Sequence, residues 1–262
     1  MNRPLITLTT DFGPSSPYVA AMKGAILSIN PDAAIVDLTH AIGPQDVRQA
    51  AIVLAETAPW YPRGTIHVAV IDPGVGTERA LLYASIDDRH YIGPDNGVLS
   101  GLARLHAPSK IVSLTRPQYW LSPVSATFHG RDIMAPVAAH LSLGVSPDDF
   151  GIPHSNLIEL DWPEVSVSAG KLEGVVETVD SFGNLVTNLT ADMLGSTPRD
   201  ERVIIECDEH ETHGIFQTYA DQPEMTLIAL VGSTGKLELA IVGDSAAAML
   251  GVRPGAKVTV SW

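Results

Sequence analysis

The sequence predicts an α/β amino-terminal domain, built on a largely parallel sheet flanked by helices, followed by a smaller all-β, barrel-like carboxy-terminal domain. Three observations predict it. From residue 4 to about 150, short apolar runs alternate with helical periodicity, the signature of βα units. Two of those runs stop abruptly at an acid and a turn. After Phe150 the helical periodicity largely disappears, and short β-type runs separated by turn residues replace it. The expected domains are residues 1–160 and 170–262, with the Pro153, Pro163 and Gly170 stretch marking the change.

The elements follow in order. Leu5 to Leu8 reads as the first strand, ending in Thr9-Thr10-Asp11-Phe12-Gly13. A helix is expected over Pro17 to Ile29, with Val19, Met22, Ile26 and Leu27 on its apolar face. Ala33 to Leu38 reads as the second strand and Asp46 to Thr57 as the second helix. Thr65 to Ile71 is rich in β-branched residues and reads as a strand that Pro73 and Gly74 cannot continue. Asp87-Asp88-Arg89 makes a short turn, and Arg131 to Leu143 has helical spacing. In the second domain, strands are expected over Leu172 to Thr178, Arg202 to Cys207, Thr226 to Val231, Lys236 to Val242 and Lys257 to Val260.

The composition narrows the function. With 262 residues and 45% hydrophobic content, the chain can bury the cores of two domains. Sixteen basic against 30 acidic residues give a formal charge of −14, which repels polyanions and argues against nucleic acid or an anionic membrane as partner. Cys207 is the single cysteine, so neither an internal disulfide nor a thiolate metal cluster can form, and a reducing cytoplasm is the expected location. The first apolar run is too short for a signal peptide, and no later run approaches a membrane span.

The most informative segment runs from Val70 to Arg79, where an apolar strand ends at Asp72 and the loop closes on Arg79. In open α/β sheets that edge is where ligands bind. Asp11 stands at the end of another strand, and His129 precedes a helical pattern, so three loops carry ionisable groups. Arg131 and Asp132 are read as an ion pair or helix cap. Read alone, Asp-Ser-Phe-Gly-Asn at 180–184 and Gly-Ser-Thr-Gly at 232–235 are turns.

The motifs TTDFG at 9–13, IDPGVGTER at 71–79, GPDNGVL at 93–99, TFHGRD at 127–132, DSFGNLVTN at 180–188 and GSTGKLELA at 232–240 occur in order across both domains. Together they resemble the S-adenosylmethionine hydroxide adenosyltransferases, relatives of the fluorinase and chlorinase. The resemblance implies that hydroxide from water displaces methionine at the ribose C5′ of S-adenosylmethionine, giving adenosine and L-methionine without a cofactor or metal. It implies an Asp72, Arg79 and His129 catalytic set, and Asp11 on the ribose hydroxyls. It also implies Asp180 facing the methionine ammonium, Asn184 on adenine, Phe182 as an aromatic wall, Ser233 at the methionine carboxylate and, more loosely, Tyr219 stacking on adenine. In the family the site lies between subunits of a homotrimer.

The halogenating relatives carry a tyrosine at the position of Asp72 and a threonine at that of Val75, so the resemblance favours hydrolysis over halogenation. A substrate-covering tryptophan there falls near Gln45 here. Two other functions compete. One is a metal-dependent nucleoside or phosphoester hydrolase using Asp11, Asp72, Asp95, His129 and Asp132; the other is a non-catalytic sensor of S-adenosylmethionine or adenosine.

Overall fold

The computed structural model describes residues 3–195 and 197–262, and the chain divides into two compact units, Met1–Leu160 and Asp161–Trp262. The first unit contains β1 (Leu5–Thr10), α1 (Pro17–Ile29), β2 (Ala34–Thr39), α2 (Val47–Thr57), β3 (Ile66–Val70), β4 (Leu81–Ile86), β5 (Arg89–Pro94), α3 (Ser100–Leu105), β6 (Lys110–Leu114), α4 (Ala135–Ser142) and β7 (Gly151–Pro153). Its seven strands form one sheet in the order β2-β1-β3-β5-β4-β6-β7. The pairs β1–β2, β1–β3 and β3–β5 are parallel, whereas β4 runs against both β5 and β6, and β7 against β6. Five of the seven strands therefore point the same way, as a largely parallel sheet requires.

Alternation along β3 shows how the sheet is covered. Ile66, Val68 and Val70 pack into a core with Val19, Met22 and Ile26 of α1 and Val137 and Ala138 of α4. Ala69 and the adjoining Ile71 face the opposite core, with Leu54 of α2 and Leu102 of α3. A strand buried on both faces reads as a nearly continuous apolar run, broken in β3 by the buried His67. Each fully buried aliphatic side chain contributes about 1.5–3 kcal/mol of transfer free energy.

Several predicted details change. Leu27, expected on the inner face of α1, is 43% exposed, and Ala25 takes its place in the core. Asp46 lies outside α2 as its cap, accepting the Gln49 amide at 2.8 Å. The helix expected over Arg131 to Leu143 does not begin as an α-helix: Gly130–Met134 forms a π-turn before α4. Pro136 has no amide hydrogen to give the Asp132 carbonyl four residues earlier, and the Leu121 amide fills that acceptor at 2.8 Å instead. Strands β4 to β7 were not anticipated individually; β4 and β5 close through Asp87 and Asp88, both with positive φ, in the two-residue hairpin turn that Asp tolerates.

The second unit holds β8 (Ser166–Ser168), β9 (Lys171–Val179), β10 (Leu185–Thr190), α5 (Ala191–Leu194), β11 (Ile204–Cys207), β12 (His210–His213), β13 (Leu227–Val231), β14 (Lys236–Ile241), α6 (Ala246–Leu250) and β15 (Lys257–Ser261). The strands pair antiparallel in the order β12-β11-β15-β9-β10-β14-β13, with β8 against β9. The Thr212 hydroxyl of β12 donates to the Leu227 carbonyl of β13 at 2.7 Å, which draws the two ends together and makes the sheet nearly a barrel. Leu172, Leu189, Ile205, Leu237 and Val258 fill it. Cys207 is buried there, and burial pushes its thiol up to about 11, so it presents no reactive thiolate. No described helix is long and apolar enough to cross a membrane.

Candidate active site

Strands β1 and β3 lie side by side in parallel register, with Thr10 opposite Val70. Asp11 and Asp72 therefore leave the same edge of the sheet from neighbouring strands, at its carboxyl end. The chain after Asp72 turns tightly: the Val75 amide donates to the Asp72 carbonyl at 3.1 Å, and the Thr77 amide to the Gly74 carbonyl at 3.1 Å. Gly76 has φ +81°, and a Cβ there would stand 2.5 Å from the Ala126 carbonyl oxygen, so the turn admits only glycine. From the strand side, the Asn96 carboxamide donates to the Ile71 carbonyl at 2.9 Å.

The turn brings Arg79 back onto Asp72. Its Nε donates to Asp72 Oδ1 at 2.7 Å and its Nη2 to Oδ2, a two-point pairing of fork and carboxylate. The same Nη2 lies 3.0 Å from His129 Nδ1. The side chains of Asp72 and Arg79 are only 5% and 11% exposed, so the pair is held in a setting where charge interactions are strong. A guanidinium can only donate, so His129 Nδ1 is the accepting nitrogen and the neutral ring carries its proton on Nε2. Burial, and then the Arg79 charge, hold His129 below the usual histidine range. His129 thus offers a donor, while the remaining lone pairs of Asp72 are the acceptors of the cluster.

Around this set, Asp11 Oδ2 accepts the Gln45 amide at 2.8 Å. Gln45 adopts φ +64°, an uncommon conformation for a non-glycine residue, at the point where its amide meets that carboxylate. Phe12, Tyr18 and Phe128 pack edge to face with centroid separations of 5.2–5.7 Å. Arg131 and Asp132 form the expected ion pair, at 2.6 Å, and Asp132 also accepts the Ser125 amide at 2.8 Å.

In the second unit the sequence-predicted residues gather around one loop. Asp180 Oδ1 accepts the amides of Phe182 and Asn184 at 2.9 and 2.8 Å, and Oδ2 accepts Asn184 Nδ2 at 2.9 Å. Phe182 stands at the tip, 79% exposed. Asn184 Nδ2 also lies 3.5 Å from the Tyr219 hydroxyl, a long contact, and that hydroxyl donates to Glu238 Oε2 at 3.0 Å. Burial, then Glu238, push the Tyr219 hydroxyl up to about 12. Ser233 is exposed in the turn between β13 and β14. Asp180, Phe182, Asn184 and Tyr219 are thus brought together, and Ser233 stands beside Gly232, against which Glu238 packs.

Sequence reasoning missed Glu238 and the Gln45 amide. Glu238 lies between Leu237 and Leu239, an alternation that reads as an ordinary solvent-facing position, yet it is only 6% exposed. The metal-dependent alternative does not fit the side-chain pairing. Asp72 is taken by Arg79, Asp132 by Arg131, and Asp95 by His154 at 3.2 Å and by the Ile158 amide at 2.8 Å. Among the described residues no group of three or more His, Cys, Asp or Glu could hold a metal ion.

An α/β unit with an Asp-Arg-His cluster at its strand ends and a barrel-like β unit with a polar and aromatic loop define a two-domain protein that carries side chains suited to holding and deprotonating a small nucleophile. Residues 6–151 match the SAM hydroxide adenosyltransferase N-terminal domain and residues 174–259 the C-terminal domain, and the chain belongs to this family. It is 39% identical over 261 residues to a protein of Salinispora tropica named (R)-S-adenosyl-L-methionine hydrolase, covering 98% of each chain. A fluorinase of Actinopolyspora mzabensis is more distant, 25% identical over 99% of this chain and 98% of its own. Among solved structures, that of an uncharacterized conserved protein from Thermotoga maritima superposes with a TM-score of 0.93 at 32% identity, covering 98% of this chain and 100% of that one.

Proposed function

We propose that this chain hydrolyses S-adenosyl-L-methionine to adenosine and L-methionine, with Asp72, Arg79 and His129 orienting the attacking water. The observation that carries the reading is the hydrogen-bonded Asp72–Arg79–His129 cluster at the carboxyl edge of the sheet, a set that ligand binding alone does not need. Support comes also from the hydrolase named above, which this chain resembles more closely than it does the fluorinase.

The chemistry assigns each residue a task. The leaving group is a neutral thioether expelled from a sulfonium, so the C5′–S electron pair returns to sulfur without a general acid. Water is the weak reactant. Its oxygen forms the new bond to C5′ while its proton passes to a free lone pair of Asp72. His129 Nε2–H donates to the same oxygen and sets its direction. Arg79 holds both partners and favours negative charge on the nucleophile. Holding water in line with the C5′–S bond removes an entropic cost that reaches about 7–11 kcal/mol in well-oriented systems. Asp11 binds the ribose hydroxyls, Asp180 the methionine ammonium, Ser233 the methionine carboxylate, and Phe182, Asn184 and Tyr219 the adenine.

Purified protein incubated with S-adenosylmethionine is expected to release adenosine and methionine in equal amounts, unchanged by a chelator. Tight binding without products would overturn the hydrolase reading in favour of a sensor, and loss of turnover on chelation would overturn the metal-free mechanism.

We also propose a cytoplasmic homotrimer in which the first unit of one subunit and the second unit of its neighbour serve one substrate. Asp72→Ala and Asp180→Ala chains, each inactive alone, should recover about a quarter of wild-type activity after denaturation and joint refolding in equal amounts, because random assembly joins two intact halves in that fraction of sites. No recovery, with the refolded trimer intact, would show that each chain builds its own site.

A further inference from the structure

We propose that Glu238 is a specificity-determining positioning residue: by taking the Tyr219 proton it makes the Tyr219 oxygen a second acceptor beside Asp180, and the two together fix the orientation of the Asn184 carboxamide, so that the site selects a 6-aminopurine over a 6-oxopurine nucleoside. This rests on the adenosyl-substrate reading above. Tyr219 has one hydroxyl hydrogen, and it is donated to Glu238 Oε2 at 3.0 Å. The Tyr219 oxygen is thereby left as an acceptor towards Asn184, whose Nδ2 lies 3.5 Å away. On its other side the same nitrogen donates to Asp180 Oδ2 at 2.9 Å.

Both neighbours of the Asn184 amide nitrogen are therefore acceptors. The opposite amide orientation would place Oδ1 against a carboxylate and against a hydroxyl oxygen whose proton is engaged elsewhere. With Nδ2 occupied, Oδ1 is the carboxamide atom left to meet a ligand, and an acceptor there pairs with the exocyclic amine of adenine and opposes the 6-oxo group of hypoxanthine. Placement of Glu238 is itself constrained. The residue is only 6% exposed, and a Cβ on Gly232 would sit 1.7 Å from Oε1, so the glycine that opens the Ser233 turn is also what admits Glu238. Glu238 acts on the substrate only through Tyr219 and Asn184.

The test measures kcat and KM of the full-length enzyme with S-adenosylmethionine and with its deaminated counterpart, S-inosylmethionine, for wild type, Glu238→Gln, Glu238→Leu and Tyr219→Phe. Wild type should prefer the amino substrate by about 100-fold in kcat/KM, since an acceptor facing an acceptor leaves both unpaired. Glu238→Gln, which keeps an acceptor for the Tyr219 proton, should retain most of that preference. Glu238→Leu and Tyr219→Phe should lower it to about tenfold or less, mostly through KM for the amino substrate, because the carboxamide is then less constrained. A merely structural role would weaken both substrates equally and leave the ratio unchanged, and that result overturns the proposal. If Glu238→Leu fails to fold, Tyr219→Phe decides on the same ratio. Absence of turnover of S-adenosylmethionine by wild type would instead overturn the hydrolase reading; adenosine against inosine affinity in the same four proteins would then decide the role of Glu238.

Discussion

Asp72→Asn is expected to lower kcat for S-adenosylmethionine by about 10²–10⁴-fold while leaving KM within about threefold, the loss set by removing a general base that is not a binding group. Asparagine keeps the shape but presents an amide where the carboxylate offered lone pairs to water. The change also leaves the Arg79 cation, 11% exposed, with His129 but without its counter-ion, so stability should fall by about 3–5 kcal/mol. A double variant, Asp72→Asn with Arg79→Met, separates the two effects. Removing the cation should restore much of the stability and none of the activity. Full activity in Asp72→Asn would sink the assignment of the base. His129 adds a pH dependence to the same cluster. Its protonated form cannot accept from Arg79 and would place two cations together. Since burial and Arg79 hold it below the ordinary value of 6.5, the acid limb of kcat/KM should lie below pH 6.5. A limb at or above 6.5 would contradict the geometry.

The second large effect concerns stability in acid and a histidine remote from this chemistry. His67 is fully buried in β3, stacked on Tyr91 at 5.0 Å and hydrogen-bonded through Nδ1 to the Thr7 hydroxyl at 2.7 Å. Burial, then the Arg89 and His90 charges, lower it from 6.5 to about 3. The unfolded chain therefore takes up a proton below pH 6.5 that the folded chain refuses. The stabilisation is fully present above that value and is lost as the pH falls from 6.5 towards about 3. Each pH unit in that window should cost about 1.4 kcal/mol. Urea unfolding of wild type at pH 7, 6, 5 and 4 should show that slope in excess of a Thr7→Val, His67→Phe variant, which keeps an aromatic ring against Tyr91 and has nothing to titrate. Parallel pH profiles for the two proteins would show that His67 is protonated in the folded state.

Residue order alone made much of the fold legible, for identifiable reasons. An apolar run that ends in Asp-Pro-Gly must leave the sheet there, so β3 and the Asp72 turn could be read locally. The change from helical to two-residue periodicity after Phe150 reports a change in what each side chain must bury, which is why two different architectures were visible. The family motifs singled out Asp72, Arg79 and His129 as one set, and hydrogen bonds join the three in the structure. The boundaries of the last amino-domain helix were not readable in the same way. The π-turn at Gly130–Met134 depends on Leu121 reaching the Asp132 carbonyl from a separate segment.

The sequence by itself determined the two fold classes, the strand ends and the residue types available for chemistry, since these follow from local periodicity and turn stereochemistry. Tertiary structure decided how those residues meet. The Arg79 fork holds Asp72, 7 residues away, and reaches His129 across 50 residues of chain, and Glu238 of β14 meets Tyr219 of the connection before β13. Hydrogen bonding fixes direction as well as proximity: which nitrogen of His129 donates depends on Arg79, 50 residues away, and the second acceptor beside the Asn184 amide nitrogen is Tyr219, 35 residues away, and no local pattern encodes either.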